Sequence, residues 1–238
     1  VKLMQKRGYL YSSTLKDCDW AYIHEGEHPV VELPTEPGFD DFSFFYFSYA
    51  DAHTITCSYP AEYVYNMWKD AFDELANEGD KIMCLKLHPQ LIGRSSRIRM
   101  LERLVLYMRQ NGAWIAGCEE VARYVLAQNG KELTPMLWPN NKRLALMLSF
   151  DIDAETLWLT RNEINKNHPA NLSRGLYSVK QGIPRILRML EEENQHATFL
   201  PTTYTAELHP EVIKCIAACG HEIAYHGYLH EVYDTYEK

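Results

Sequence analysis

The sequence predicts an α/β protein whose strands run parallel and whose strand ends share one cleft. Two observations predict it. Strand-like apolar segments alternate with amphipathic helix-like ones on both sides of a polar stretch, and several strand-like segments stop abruptly at carboxylates or imidazoles. Parallel β/α proteins collect their reactive groups where strands end, so the second observation also points to chemistry.

In the first segment, 1–127, residues 42–48 and 82–87 read as strands, 61–77 and 96–111 as amphipathic helices, 113–116 as a short strand and 119–128 as a helix. Residues 128–143, with Gly130, Pro135, Pro139, Asn140 and Asn141, have the turn chemistry of a linker. In the second segment, 144–238, the uninterrupted apolar run 144–150 is a buried strand. Residues 182–193 form a helix with Ile183, Ile186, Leu187 and Leu190 at helical spacing, and 197–200 form a strand. Pro210 opens a helix through Cys219, Gly220 closes it, and 222–225 is the last strand. The economical assembly is a barrel or distorted barrel with fewer strands than the usual eight.

A chain of 238 residues with 46% hydrophobic residues has ample material for a buried core. With 24 Lys+Arg against 32 Asp+Glu the formal charge is −8, and no basic stripe offers the surface that nucleic acid or an anionic membrane requires. The longest apolar runs fall short of the roughly 18–20 residues of a membrane span. The N-terminus has neither the charged start nor the apolar core of a leader, so a soluble protein is expected. Six scattered cysteines predict reduced thiols and a cytoplasmic address. Cys215 and Cys219, four apart on a predicted helix, are expected to be buried rather than metal-bound.

The chemistry-bearing residues sit at strand ends. Asp151 and Asp153 are two apart, so in extended backbone both carboxylates face one side while Ile152 packs on the other. His226 and His230 follow another strand four apart, which places both imidazoles on one face if a helical turn joins them. Each pair alone also fits a bland account: a polar strand-to-loop junction, or histidines hydrogen-bonded in a core. Together, Asp153, His226 and His230 make a two-histidine, one-carboxylate set that suits a divalent metal such as zinc, with open positions left over. Asp151 remains free to act as general base, and His88, at the end of the strand 82–87, is a candidate general acid. Glu155 follows the aspartates and could bind substrate or cap the next element. Trp20 and Trp158 are candidate stacking surfaces for a sugar or planar amide, although aromatics in β/α proteins more often pack in the core.

Leu148-Ser149-Phe150-Asp151-Ile152-Asp153 and the stretch from His226 to His230 resemble the two metal-site motifs of the polysaccharide deacetylase family, also known as NodB-homology or carbohydrate esterase family 4. The version with Ala154-Glu155 is similar to its allantoinase-like and intracellular peptidoglycan-deacetylase subgroup. Further matches are Ala197-Thr198-Phe199, Gly220-His221-Glu222-Ile223, Tyr11-Ser12-Ser13, Val31-Glu32-Leu33-Pro34, Asp40-Asp41-Phe42, Leu87-His88-Pro89 and Gly93-Arg94.

The resemblance implies a distorted (β/α)7-type barrel that hydrolyses a non-peptide C–N bond, commonly an N-acetyl sugar. It implies Asp151 as base, His88 as acid, and Asp153, His226 and His230 as ligands of zinc, cobalt or nickel. The family's late motifs come first here, so the chain reads as a circularly permuted barrel, or as the junction of two tandem domains. The arginine-proline motif that orients the base in the family has no match, which predicts an incomplete barrel wall. Two rival readings stay open, a metal-independent allantoinase-like ureide hydrolase and a silent carbohydrate-binding or scaffold protein. A carbohydrate or small amide is the expected substrate, and a homo-oligomer is compatible with the missing wall.

Overall fold

Over residues 1–46, 58–128, 138–160 and 163–231, which the computed structural model describes, the strands make two sheets. The smaller holds β1 (Tyr11–Ser12), β2 (Tyr22–His24) and β3 (Val30–Glu32) in the order β1-β3-β2, with β1 parallel and β2 antiparallel to β3. The larger is five-stranded and parallel throughout: β4 (Lys81–Leu87), β5 (Ala113–Ala116), β6 (Leu144–Ile152), β7 (Thr198–Pro201) and β8 (Glu222–Ile223). It runs β4-β6-β7-β8, with β5 also paired to β6. Among the described residues β4 and β8 stand at its two ends and are not paired to each other.

Strand β6 organises the molecule. All nine of its residues are buried, as expected of a central parallel strand covered on both faces. Its side chains alternate. Leu144, Leu146, Leu148, Phe150 and Ile152 pack into the main core with Trp68 and Phe72 of the helix Ala61–Glu78, Leu101 and Leu104 of the helix Ser95–Gln110, and Ile186 and Leu190 of the helix Ile183–Glu192. Ala145 and Met147 face the other way, into a second cluster with Val31, Leu33, Val121 and Trp138. That second cover ends partway along the strand. Beyond it, the same face presents Ser149 and Asp151 to a cavity of about 660 Å³.

Strands from both sides of the linker share this sheet, because β4 and β5 flank β6. Glu222 of β8 ties the segments further. Its carboxylate accepts from Tyr11 Oη at 2.6 Å, from Thr198 Oγ1 at 2.7 Å and from the backbone N–H of Glu119 at 2.9 Å.

Several expectations change. Residues 42–45 of the stretch expected as a strand form one helical turn, Phe42–Phe45, while 47 and 48 lie outside the described residues. The reason is local: the Asp40 carboxylate accepts the Phe42 N–H at 2.9 Å and starts a turn, which an aromatic run alone does not reveal. The small sheet was not anticipated, since strands of two or three residues carry no readable alternation. Cys215 and Cys219 are exposed, not buried. Ile216 is the buried residue of their helix, Pro210–Ala218, so the two thiols, one turn apart, share an outward face. Of the linker, 129–137 lie outside the described residues.

A close backbone approach makes one stability prediction. A single π-helical turn, Ser178–Gly182, precedes the helix Ile183–Glu192, and a Cβ on Gly182 would collide with the carbonyl of Pro89, immediately after His88. Both contacting groups are backbone and cannot rotate away. Gly182→Ala is expected to destabilise the fold by about 1–3 kcal/mol through overpacking, read as a lower urea midpoint with an unchanged slope.

Candidate active site

The geometry of the site starts from strand parity. On β6 the odd-numbered residues share the face that opens on the cavity beyond Met147, and this carries Asp151 to the cavity wall and Asp153 just beyond the strand end. On β4 the even-numbered residues do the same: Ile82 and Cys84 join the second cluster, Lys86 lines the cavity, and His88 follows the strand on the same side. Register pairs Lys86 with Ser149, so the two strands offer their polar ends side by side.

After Asp153 the chain turns through Ala154 at φ 47°. The Asp153 carbonyl accepts from Thr156 Oγ1 at 2.6 Å and Thr205 Oγ1 at 2.9 Å, hydroxyls from two separate elements that fix the backbone under the carboxylate. His226 and His230 reach the site from an irregular loop rather than the helical turn the spacing suggested. Gly227 at φ 74° and His230 at φ 59° bend it. The N–H groups of Thr203 and Tyr204 hold the carbonyls of Gly227 and Tyr228 at 3.0 Å each. The loop nonetheless brings the imidazoles together, with ring centroids 5.1 Å apart.

The four groups converge. His226 Nε2 lies 3.4 Å and His230 Nε2 3.8 Å from Asp153 Oδ1. His226 Nε2 is also 3.7 Å from Asp151 Oδ2. His88 Nε2 sits 3.9 Å from Asp151 Oδ2 and 3.8 Å from Asp153 Oδ2. Asp153, His226 and His230 offer ligand atoms within 4.8 Å of one another. These are close approaches without directed hydrogen bonds: Asp151 Oδ2, both Asp153 oxygens and His226 Nε2 are buried and lack a hydrogen-bond partner. A buried carboxylate with both oxygens unsatisfied is costly unless a cation completes it. The donor set, two imidazoles and one carboxylate, fits a divalent metal of the zinc type. Burial alone would raise the pKa of Asp153, but His226, His88 and His230 outweigh it and hold the carboxyl down at about 2.

His88 has a further partner. Asp41 is fully buried and accepts the His88 backbone N–H with both oxygens, at 3.1 Å each, while His88 Nδ1 stands 2.7 Å from Asp41 Oδ1. This fixes the ring so that Nε2 faces Asp151 and Asp153. Burial opposes the imidazolium, and Asp41 with the site carboxylates raises the His88 pKa against it. Lys86 Nζ lies 3.6 Å from Asp151 Oδ2 and 3.8 Å from Asp40 Oδ2. Burial disfavours its charge too, and Asp151 and Asp40 more than compensate, so its pKa is raised. Lys86 carries no role in the sequence reading, and Asp41 enters it only within the motif Asp40-Asp41-Phe42, with no link to His88. Lys86 left a signal, a charge inside an apolar strand run at the parity of His88, whereas Asp41 is 47 positions from its partner.

Three candidate substrate residues are not brought together with this set. Trp20 is exposed and sits under Lys81 Nζ, 5.1 Å from its ring. Lys81 opens β4 and His88 follows its end, so roughly 20 Å of strand at ~3.3 Å per residue separates Trp20 from the site. Trp158 is 4% exposed and packs in the main core, where its ring faces Arg174 at 5.6 Å. Glu155 is held by His209 Nε2 at 3.1 Å and lies at the start of the short helix Thr156–Leu159. None of the three lines the cavity, which meets the site at Asp151 and His226.

Among the described residues no helix is long and apolar enough to cross a membrane. Residues 147–238 match the polysaccharide deacetylase family. A peptidoglycan deacetylase of Helicobacter pylori is 34% identical over 90 residues, 38% of this chain and 30% of that protein. A peptidoglycan deacetylase-like protein of Gibberella zeae is 29% identical over 92 residues, 38% of this chain and 27% of that protein. The match thus spans under a third of either relative's length. A crystal structure from Mycobacterium smegmatis, described as a polysaccharide deacetylase, superposes with a TM-score of 0.40 at 44% identity over 41% of this chain and 34% of that one. The Puue allantoinase superposes with a TM-score of 0.46 at 25% identity over 54% and 42%. Through residues 147–238, which carry both the aspartate pair and the histidine pair, the chain is similar to the polysaccharide deacetylase family.

Proposed function

We propose that this chain hydrolyses a non-peptide C–N bond, releasing acetate from an N-acetylated sugar or opening a related linear or cyclic amide. The observation that carries the proposal is the convergence of Asp151, Asp153, His226, His230 and His88 on buried oxygens and a nitrogen that lack hydrogen-bond partners. Similarity of residues 147–238 to deacetylases supports the substrate class. Asp153, His226 and His230 would hold a divalent metal, zinc by its preference for this donor set. Such an ion, when bound, supplies Lewis-acid polarisation of the acyl oxygen and acidifies water. Asp151 takes the proton of the attacking water with the oxygen it turns to the cavity. His88, with Nδ1 occupied by Asp41, presents Nε2 to donate a proton to the leaving nitrogen. The shared sheet of β4 and β5 with β6 to β8 supports reading the motif order as a permuted deacetylase barrel.

The direct test is product formation by zinc-loaded protein: acetate from N-acetylglucosamine oligomers and peptidoglycan, ammonia from linear ureides, and the ring-opened acid from cyclic ureides. Binding of metal with no product from any of these substrates would refute the proposal in favour of a silent carbohydrate-binding protein. Activity that survives stripping of all metal would instead select the metal-independent ureide hydrolase.

The Asp41–His88 pair makes its own prediction. Asparagine at 41 keeps one acceptor but turns an N–H2 toward His88, whose backbone N–H and Nδ1 both need acceptors. Asp41→Asn should lower kcat by about 10²-fold, the lower end of what a general acid contributes, while zinc stoichiometry stays at wild-type level. An unchanged kcat would separate His88 from the chemistry.

A further inference from the structure

Lys86 is a charged residue in a strand whose neighbouring side chains, Leu85 and Leu87, are fully buried. Its side chain leaves the β4 face that also carries Cys84 and His88 and enters the cavity beside Ser149, its partner in register on β6. The backbone there is clamped: Lys86 bridges to Asp40 in parallel fashion, and its carbonyl accepts the Asp41 N–H at 3.0 Å. The side chain itself is partly exposed, at 40%, and its ammonium reaches out from this fixed backbone. It stands between two carboxylates, 3.6 Å from Asp151 Oδ2 and 3.8 Å from Asp40 Oδ2.

Asp151 Oδ2 is buried and has no hydrogen-bond partner. Three nitrogen-bearing side chains approach it among the described residues: His226, His88 and Lys86. The two imidazoles have other duties, His226 beside Asp153 and His88 against Asp41. Lys86 is therefore the one neighbour whose position is not set by the metal set or by the acid. We propose that Lys86 is a positioning residue that anchors the carboxylate of Asp151, fixing the orientation in which it meets the attacking water. The inference rests on the reading of Asp151 as the base. It assigns Asp40 the matching task of holding the other side of the ammonium, while Lys86 and Asp151 line the cavity.

The test compares zinc-loaded wild type with Lys86→Met and Lys86→Arg, measuring kcat, KM, zinc content and the crystal structure of each. Anchoring predicts that Lys86→Met lowers kcat by about tenfold to a hundredfold, as loss of alignment by a fraction of an ångström to 1 Å does. KM and zinc content should stay near wild type, the Asp151 carboxylate should rotate, and Lys86→Arg should regain much of the lost kcat. A wild-type kcat in Lys86→Met overturns the proposal, as does a loss explained by raised KM or by lost zinc. If wild type itself releases nothing from any amide, the hydrolase reading fails. Lys86 is then judged on structure alone, and an Asp151 carboxylate that keeps its orientation in Lys86→Met refutes the anchor.

Discussion

Asp151→Asn should abolish turnover, with kcat falling by about 10³- to 10⁴-fold, while the protein still binds one equivalent of zinc. Asparagine has nearly the shape of aspartate and fits a position that is 2% exposed, so packing against β7 is kept. What it lacks is basicity. The oxygen turned to the cavity could still accept a hydrogen bond from water but could not take its proton. The ligand trio of Asp153, His226 and His230 does not include Asp151, which is why metal binding should survive. Acetate release and metal analysis on the same sample separate the outcomes. Full activity would mean that the base lies elsewhere. Loss of zinc together with activity would make Asp151 a ligand and leave the base unassigned.

Why the strand-end pair Asp151 and Asp153 is legible in the sequence, and the pairing of Asp41 with His88 is not, follows from the range of the forces involved. Strand parity is a local geometric rule, so the uninterrupted run through Phe150 announced both a buried strand and two carboxylates on one face. Helix punctuation is equally local. The helix Pro210–Ala218 begins at its proline and ends before Gly220, whose φ of 79° only glycine adopts readily. The partners Asp41 and His88, Lys86 and Asp151, and Tyr11 and Glu222 are set by tertiary packing, and no periodicity links positions so far apart. The His226–His230 loop is an intermediate case. Its spacing suggested a helical turn, and hydrogen bonds from Thr203 and Tyr204 instead impose an irregular path that delivers the same convergence. The tryptophans misled for a different reason: aromatic area is useful both for cores and for sugars, and Trp158 went to the core while Trp20 lies at the wrong end of β4.

The second large effect concerns the metal and stability together. Asp153 is 0% exposed and both its oxygens lack hydrogen-bond partners, so the folded chain carries a buried carboxylate with imidazoles at 3.4 to 3.8 Å. A divalent cation coordinated there binds the folded state far more strongly than the unfolded chain, which has no assembled trio. Zinc at about 100 times its Kd should add about 2.7 kcal/mol of stability, or about 5–10 °C in Tm for a domain of this size. Asp153→Ala should erase that increment, and a chelator should remove it from wild type reversibly, along with turnover. The comparison discriminates because a second cluster, Asp40, Asp41 and His88, also has ligand atoms within 4.8 Å of one another. In that cluster the Asp41 oxygens are already engaged by the His88 N–H groups, and a metal would have to displace them and with them the acid. If zinc raised the Tm of Asp153→Ala as much as that of wild type, the ion would be sitting outside the Asp153 trio. Binding at Asp41 would then lower turnover as zinc rises, whereas binding at Asp153 raises stability and turnover together.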